Sequence, residues 1–425
     1  MNVVSAPSAA AWTAVFCALL LGGLLTRLWL AHRQIRRIAL HRDQVPSAFA
    51  GTVDLAAHRK AADYTIAKGR LGVLEMGLGA AVLIGWTLLG GLDLLNQWLR
   101  DWLGNGLWQQ LALLAGFMLI SGLIDLPLSW YHTFRLEERF GFNRTTLRLW
   151  LIDGVKGVLV GALIGLPLAA LVLWLMETAG PAWWLWAWGV WMGFNLLMLV
   201  LYPTVIAPLF NKFTPLEDAE LRQRTEALMK RCGFTAQGFY VMDGSRRSAH
   251  ANAYFTGFGP AKRVVFFDTL LKQLSPGELD AVLAHELGHF HHRHIVKRIV
   301  TLFALSLLGF ALLGWLQGQA WFYTGVGVTP NMDAPNSALA LLLFVSVSPL
   351  VTFFTAPLSS YVSRKHEFEA DAFAARHANG HDLQQALLKL YRDNASTLTP
   401  DPLYVRFYYS HPPAGERLAQ LGASA

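Results

Sequence analysis

A chain of 425 residues that is 54% hydrophobic, with 16 Trp and only 15% charged side chains, is too apolar for an ordinary soluble domain, which carries about 25% charged residues. Its net charge of +7 does not point to nucleic acid, because the basic residues sit in loops beside long apolar runs. The two cysteines, Cys17 and Cys232, fall in an expected span and in a cytosol-like segment, which excludes a disulfide framework.

A bilayer needs about 20 apolar residues per helix, and seven stretches qualify. They are about Ala9–Leu30, Leu71–Leu92, Leu107–Trp130, Ile152–Met176, Ala182–Tyr202, Ile295–Leu316 and Ser337–Leu358. The first lacks a basic start and a small-residue cleavage site after it, so it reads as an anchor rather than a signal peptide. Basic residues crowd the segment after the first span (Arg33, Arg36, Arg37, Arg42, Arg59, Lys60) and the one after the third (Arg135, Arg139, Arg144, Arg148). Arg100 stands alone between the second and third, and Gln317 to Asn336 has none. This bias predicts an outside N-terminus and a cytoplasmic C-terminus. Asp125 and Asp153, costly in or near spans, are expected to face a wet interior, or in the case of Asp153 to cap the fourth helix.

Two polar segments remain. Pro203 to His294 contains a helical stretch, Asp218 to Cys232, closed by Gly233, then short β-like runs at Gly238–Met242, Ala253–Phe258 and Arg263–Phe267. The second and third runs read as a hairpin punctuated by Gly257 and Gly259-Pro260. Ala253–Phe258 is either an exposed edge strand, to which an extended peptide can add, or an internal strand. Ser359 to Ala425 reads as mostly helical. The expected division is an N-terminal membrane part, 1–202, with five spans, and a second part, 203–425, with two.

Chemistry concentrates in Ala281–His294, AVLAHELGHFHHRH. His285 and His289, four apart, share a helix face and can meet one ion. Glu286 beside them is placed to work on a water, as in zinc metalloproteases. Ser275 and Pro276 mark a helix start. Leu279, Val282, Leu283 and Leu287 give a buried stripe. Gly288, a helix-weakening choice, implies that something approaches closely there. His291, His292 and His294 are expected at the membrane boundary beside Arg293 rather than on the metal.

Catalytic zinc needs a third protein ligand, and Ser363–Asp371 beyond the last span offers it. Glu367 and Asp371 share a helix face, one to bind and one to orient a histidine. Ala370, Ala372, Ala374 and Ala375 permit close packing. Glu369, turned about 160° from Asp371, and His366 are rivals.

With these residues stand Glu137-Glu138-Arg139-Phe140-Gly141-Phe142-Asn143, Tyr202 to Phe213, Ala251-Asn252-Ala253-Tyr254-Phe255-Thr256-Gly257-Phe258, Glu367-Phe368-Glu369-Ala370-Asp371, and the tail around Asp401-Pro402-Leu403-Tyr404, Ser410-His411-Pro412 and Glu416-Arg417-Leu418. This text resembles the type 1 CAAX prenyl proteases, membrane zinc endopeptidases. The resemblance implies a mainly α polytopic membrane protein with a small α+β zincin-like catalytic domain. It implies His285, His289 and Glu367 as ligands of one zinc ion per chain, Glu286 as general base and acid, and His411 at the oxyanion or substrate. It further implies Asn252, Ala253, Tyr254 and Phe255 along the substrate groove, with Asp371 and Arg417 bracing the site. Glu369 departs from relatives, which more often carry a neutral or different polar residue. The expected partners are a peptide or protein substrate, prenylated or membrane-bound, and the lipid bilayer. Two substrates compete: the last residues of a prenylated CAAX-type tail, which the resemblance favours, and membrane or misfolded proteins more broadly. Short loops suit a bacterial inner-membrane protein with its site facing the cytoplasm, a setting that weighs against prenylated tails as the natural substrate. The competing reading is a catalytically silent membrane scaffold or a metal-handling protein.

Overall fold

The computed structural model describes residues 8–235, 238–250, 253–256 and 263–423. Among them, seven helices are long and apolar enough to cross a membrane: Ala9–Leu40, Leu55–Trp86, Leu107–Glu137, Leu147–Thr178, Gly180–Phe210, His294–Leu316 and Ser337–His377. Each corresponds to an expected span, and several run well past the apolar stretch, because a helix continues until a local breaker stops it. The second starts at Leu55, where the Asp54 carboxylate accepts from the Ala57 amide at 2.6 Å. It stops at Trp86 rather than Leu92, and Gly90 (φ 78°) then turns the chain.

That turn starts a helix the hydropathy of the sequence had merged into span and loop, Gly91–Leu103. It buries Leu92, Asn96 and Leu99 and exposes Leu94, Trp98 and Trp102, as a helix lying in the membrane interface does. Leu119, Leu123, Leu159, Leu163, Leu305 and Leu308 are likewise exposed along the spans. In water such a surface would aggregate; in a bilayer it is solvated. Chain and context make this an integral multi-pass membrane protein.

The polar segment forms a four-stranded sheet: β1 (Phe213–Pro215), β2 (Gly238–Met242), β3 (Ala253–Thr256) and β4 (Arg263–Phe267), in the order β1-β2-β4-β3. β2 and β4 run parallel; β3 pairs antiparallel with β4, with Tyr254 opposite Val265. β3 is thus an edge strand, and β3 and β4 pair as a hairpin; residues 257–262 between them lie outside the described residues. β1 was not expected, being three residues long and ending in Pro215, below any sequence signal.

Two apolar cores result. One lies among the spans around Phe16, Leu92, Leu113, Leu173 and Phe322. The other joins Leu228, Phe266, Leu279, Leu283, Leu287, Phe373 and Leu383 under the sheet. A smaller cluster of Tyr64, Leu136, Phe140, Phe142 and Ala395 ties the N-terminal spans to the C-terminal segment. Asp153 does not cap the fourth span, whose cap is Thr146; it pairs with Arg247 at 2.8 Å, because a carboxylate about two turns inside the helix reaches the polar segment instead.

Candidate metal centre

The helix Pro276–His291 begins as its sequence implies. The Ser275 side chain accepts from the Glu278 amide, and the Glu278 carboxylate accepts from the Ser275 amide at 2.7 Å. Leu279, Leu283 and Leu287 are buried in the core shared with Leu228, Phe266, Phe373 and Leu383, which fixes the orientation of the helix and so of its histidines. Gly288 has the close neighbour its cost implied. A Cβ there would lie 2.9 Å from the Ala370 Cα and 3.1 Å from the Phe373 Cβ. Ala370 and Ala374, both fully buried, line the facing helix Ala356–His377. Small residues on both sides let the two backbones approach, and this approach brings Glu367 to the histidines.

The donor atoms converge. His285 Nε2 lies 3.4 Å from Glu367 Oε2, and His289 Nε2 lies 3.4 Å from Glu367 Oε1. Glu367 Oε2 is buried with no hydrogen-bond partner among the described residues, an expensive state for an anion. A tetrahedral ion with bonds of about 2.0–2.1 Å holds its donors about 3.3–3.4 Å apart. Each imidazole nitrogen stands at that distance from a Glu367 oxygen, and the three donor atoms all lie within 4.8 Å of one another, a set that fits zinc.

The surroundings stiffen this set. His285 turns its Nδ1 to Asp371 Oδ1 at 2.8 Å, and Arg417 Nε donates to Asp371 Oδ2 at 2.8 Å. His285, Asp371 and Arg417 are all buried. Burial disfavours a charged His285, but the Asp371 and Glu367 carboxylates outweigh it and raise its pKa to about 9. A divalent cation would displace that proton, as metal binding to histidine requires. His289 goes the other way, to about 4, through burial and then the charge of His285. Burial also lifts the Glu286 carboxyl above its ordinary range.

His411 arrives from the C-terminal tail, its Nε2 3.4 Å from Glu367 Oε1 and its Nδ1 2.9 Å from the Ser410 hydroxyl. Its loop is tethered: Tyr391 Oη donates to the Pro412 carbonyl at 3.2 Å, and Arg364 donates to the Tyr409 carbonyl at 2.8 Å. Glu286, Glu367, Tyr391, Asn394, His411 and Arg417 line one cleft of about 400 Å³. Asn252 lies outside the described residues, and of Ala253 and Phe255 only the backbone is described. Tyr254 is half-buried and meets the Phe267 ring edge-on.

One residue beside the site, His250, carried no signal of its own in the sequence. His250 stacks on Phe142 with ring centroids 4.3 Å apart and contacts Asn394 Oδ1 at 3.1 Å. Glu137, which accepts from the Tyr64 hydroxyl, lies 3.5 Å from His250. The motif Glu137 to Asn143 therefore reaches the site from the membrane half, through contacts no periodicity reveals. His294, the first residue of the sixth span, is buried against His289, with the two Nδ1 atoms 3.0 Å apart. Glu369 points to His294, at 2.8 Å, and away from the converging donors.

Two family models match the chain. Residues 34–212 match the CAAX prenyl protease N-terminal region with five membrane helices, and residues 215–425 match peptidase family M48. The CAAX prenyl protease 1 homolog of Arabidopsis thaliana is 38% identical over 316 residues, 74% of this chain and 73% of its own. CAAX prenyl protease 1 of Saccharomyces cerevisiae is 34% identical, over 92% and 91%. The crystal structure of S. mikatae Ste24p superposes with a TM-score of 0.90 at 31% identity, covering 98% of this chain and 100% of that one.

Proposed function

The chain belongs to peptidase family M48, beside the type 1 CAAX prenyl proteases, and is an integral-membrane zinc metallopeptidase; we propose that His285, His289 and Glu367 hold one zinc ion per chain, with Glu286 as base and acid. The observation carrying this reading is the 3.4 Å spacing of both Nε2 atoms from the two oxygens of Glu367. Bound there, zinc supplies Lewis-acid polarisation of the scissile carbonyl and a more acidic water. Glu286 takes the proton of the attacking water and returns it to the leaving amine. His411 donates from Nε2 to the oxyanion, held by the tethers from Tyr391 and Arg364. Asp371 and Arg417 keep the His285 ring aimed. The substrate backbone extends along β3, a reading supported by the edge position of that strand, and Asn252, Ala253, Tyr254 and Phe255 are the proposed groove residues.

The proposed substrate is a lipidated, CAAX-like C-terminal tail. The 400 Å³ cleft shares Tyr391, Asn394, Ser396 and His411 with a second cavity of about 650 Å³. That cavity shares Met76, Tyr404 and Tyr408 with a third, of about 700 Å³, lined by Leu20, Leu24, Leu83, Trp86, Phe117 and Leu350. A peptide end at the cleft and an isoprenoid in the apolar cavity among the spans suit this series. The proposed setting is a bacterial inner membrane with the site on the cytoplasmic side, supported by the short loops and the basic residues flanking the spans. The peptidase part, 203–425, then works against a membrane part, 1–202, that shapes the lipid side.

The test compares purified wild type with Glu286→Gln on farnesylated and unmodified peptides of one sequence. The variant is expected to keep its zinc and lose about 10²–10⁴ in kcat. Hydrolysis near the wild-type rate removes the role of Glu286; equal kcat/KM for the two peptides removes the lipidated substrate.

A further inference from the structure

The two histidines of the Pro276–His291 helix are used alike. Each points Nε2 at Glu367 and turns Nδ1 back into the protein. For His285 the partner at Nδ1 is Asp371. For His289 it is His294, Nδ1 to Nδ1 at 3.0 Å, and His294 Nε2 lies 2.8 Å from Glu369 Oε2. We infer that His294 and Glu369 are positioning residues, a relay that fixes the tautomer and aim of His289 and thereby strengthens the hold on zinc. This rests on the reading that His285, His289 and Glu367 are the ligands.

Proton bookkeeping allows one arrangement. A neutral imidazole that offers Nε2 to a cation carries its hydrogen on Nδ1. That hydrogen is donated to His294 Nδ1, which must then be bare. His294 therefore carries its own hydrogen on Nε2 and donates it to the Glu369 carboxylate. Each contact then has one donor and one acceptor, and the outer carboxylate raises the basicity of the ligand it supports.

The backbone is bent to make this contact. On an uninterrupted helix, residue 294 would sit about 140° round the axis from His289 and face away. Instead the helix ends at His291, and Arg293 takes a left-handed conformation (φ 55°) rarely held by a side chain of its kind. The next helix starts at once with His294, whose ring comes within 5.2 Å of that of His289 and is 5% exposed.

A second metal site is the other use for this cluster, since His294, His366 and Glu369 also lie close together. The rings argue against it. His294 and His366 stack in parallel, 3.9 Å between centroids and 13° between planes, so their lone pairs run side by side rather than to one point. Both nitrogens of His294 are also engaged already.

The experiment measures zinc affinity of the full chain in detergent by chelator competition, zinc content by mass spectrometry, and kcat and KM on a quenched peptide. His294→Ala is expected to weaken zinc binding by about 10–100-fold. His294→Asn, whose Oδ1 can take the place of Nδ1 as acceptor, restores most of that loss. Glu369→Ala weakens binding and Glu369→Gln, still an acceptor, stays close to wild type; these variants and His294→Asn carry the test should His294→Ala not fold. His366→Ala removes the stacked ring but no hydrogen bond of the relay, and is expected within about twofold of wild type, well short of the loss for a supporting residue. His289→Ala sets the floor, with zinc lost. If His289→Ala keeps wild-type affinity, the ligand assignment falls. If it loses zinc while His294→Ala does not weaken, the relay alone falls. The relay is also overturned if His294→Asn or His366→Ala is as weak as His294→Ala, which is packing, or if wild type holds two zinc ions and His366→Ala one.

Discussion

Replacing Gly288 with Ala places a methyl group where two helices touch. Its Cβ would stand 2.9 Å from the Ala370 Cα and 3.2 Å from the Ala370 carbonyl oxygen. Ordinary carbon contacts lie at about 3.5–4.0 Å, so the helices must separate by several tenths of an ångström. The obstacle is backbone, so no side chain can rotate aside. Alanine gains about 1 kcal/mol in helix propensity, but overpacking a tight core costs about 1–3 kcal/mol, so the fold loses modestly on balance. The site suffers more. The histidines ride on one helix and Glu367 on the other, and metal–ligand distances tolerate only about ±0.2 Å. Gly288→Ala is therefore expected to weaken zinc binding and activity out of proportion to its small loss in melting temperature. Gly161→Ala, in a span where no atom lies within 4 Å of the added Cβ, serves as the control and should change neither. Chelator competition together with thermal unfolding in detergent decides the matter. Wild-type zinc affinity and activity in Gly288→Ala would refute the argument that interhelical contact sets the ligand distances.

The acidic limb of kcat/KM follows Glu286. The carboxylate works ionised and burial raises its pKa, so activity falls as pH drops through a value above the ~4.3 of a free glutamate; a limb at or below that value contradicts the assignment. Arg417→Ala strands the buried Asp371 carboxylate and should cost about 3–5 kcal/mol of stability. An unfolding free energy within about 1 kcal/mol of wild type, the median for exposed pairs, would mean the pair is effectively solvent-screened. Tyr391→Phe removes the bond to the Pro412 carbonyl and is expected to lower kcat by roughly 2–13-fold, the value of about 0.5–1.5 kcal/mol, with zinc content unchanged; loss of zinc instead would place Tyr391 in the metal's support.

Much of this molecule is written locally. Seven spans follow from apolar length, because a bilayer rewards any helix long enough to cross it. The start of the Pro276–His291 helix is fixed by Ser275, Pro276 and Glu278, whose capping bonds span three residues. Glycine at 288, an unfavourable helix residue, announced a close neighbour without naming it. The pairing of His285 with His289 needs only the helical repeat. What the sequence could not decide is which groups meet across distance. Glu367 comes to the histidines from 78 residues beyond His289 because Ala370 and Ala374 let two backbones close in. Arg417 meets Asp371, and His250 meets Glu137, only through the packing of the whole chain. His294 is the sharpest case: a single left-handed residue at Arg293 turns it back onto His289 at the start of the sixth span, a contact its neighbours in sequence do not announce. Periodicity reports what one element does alone; contacts between elements depend on where each one stops, and only the tertiary structure decides that.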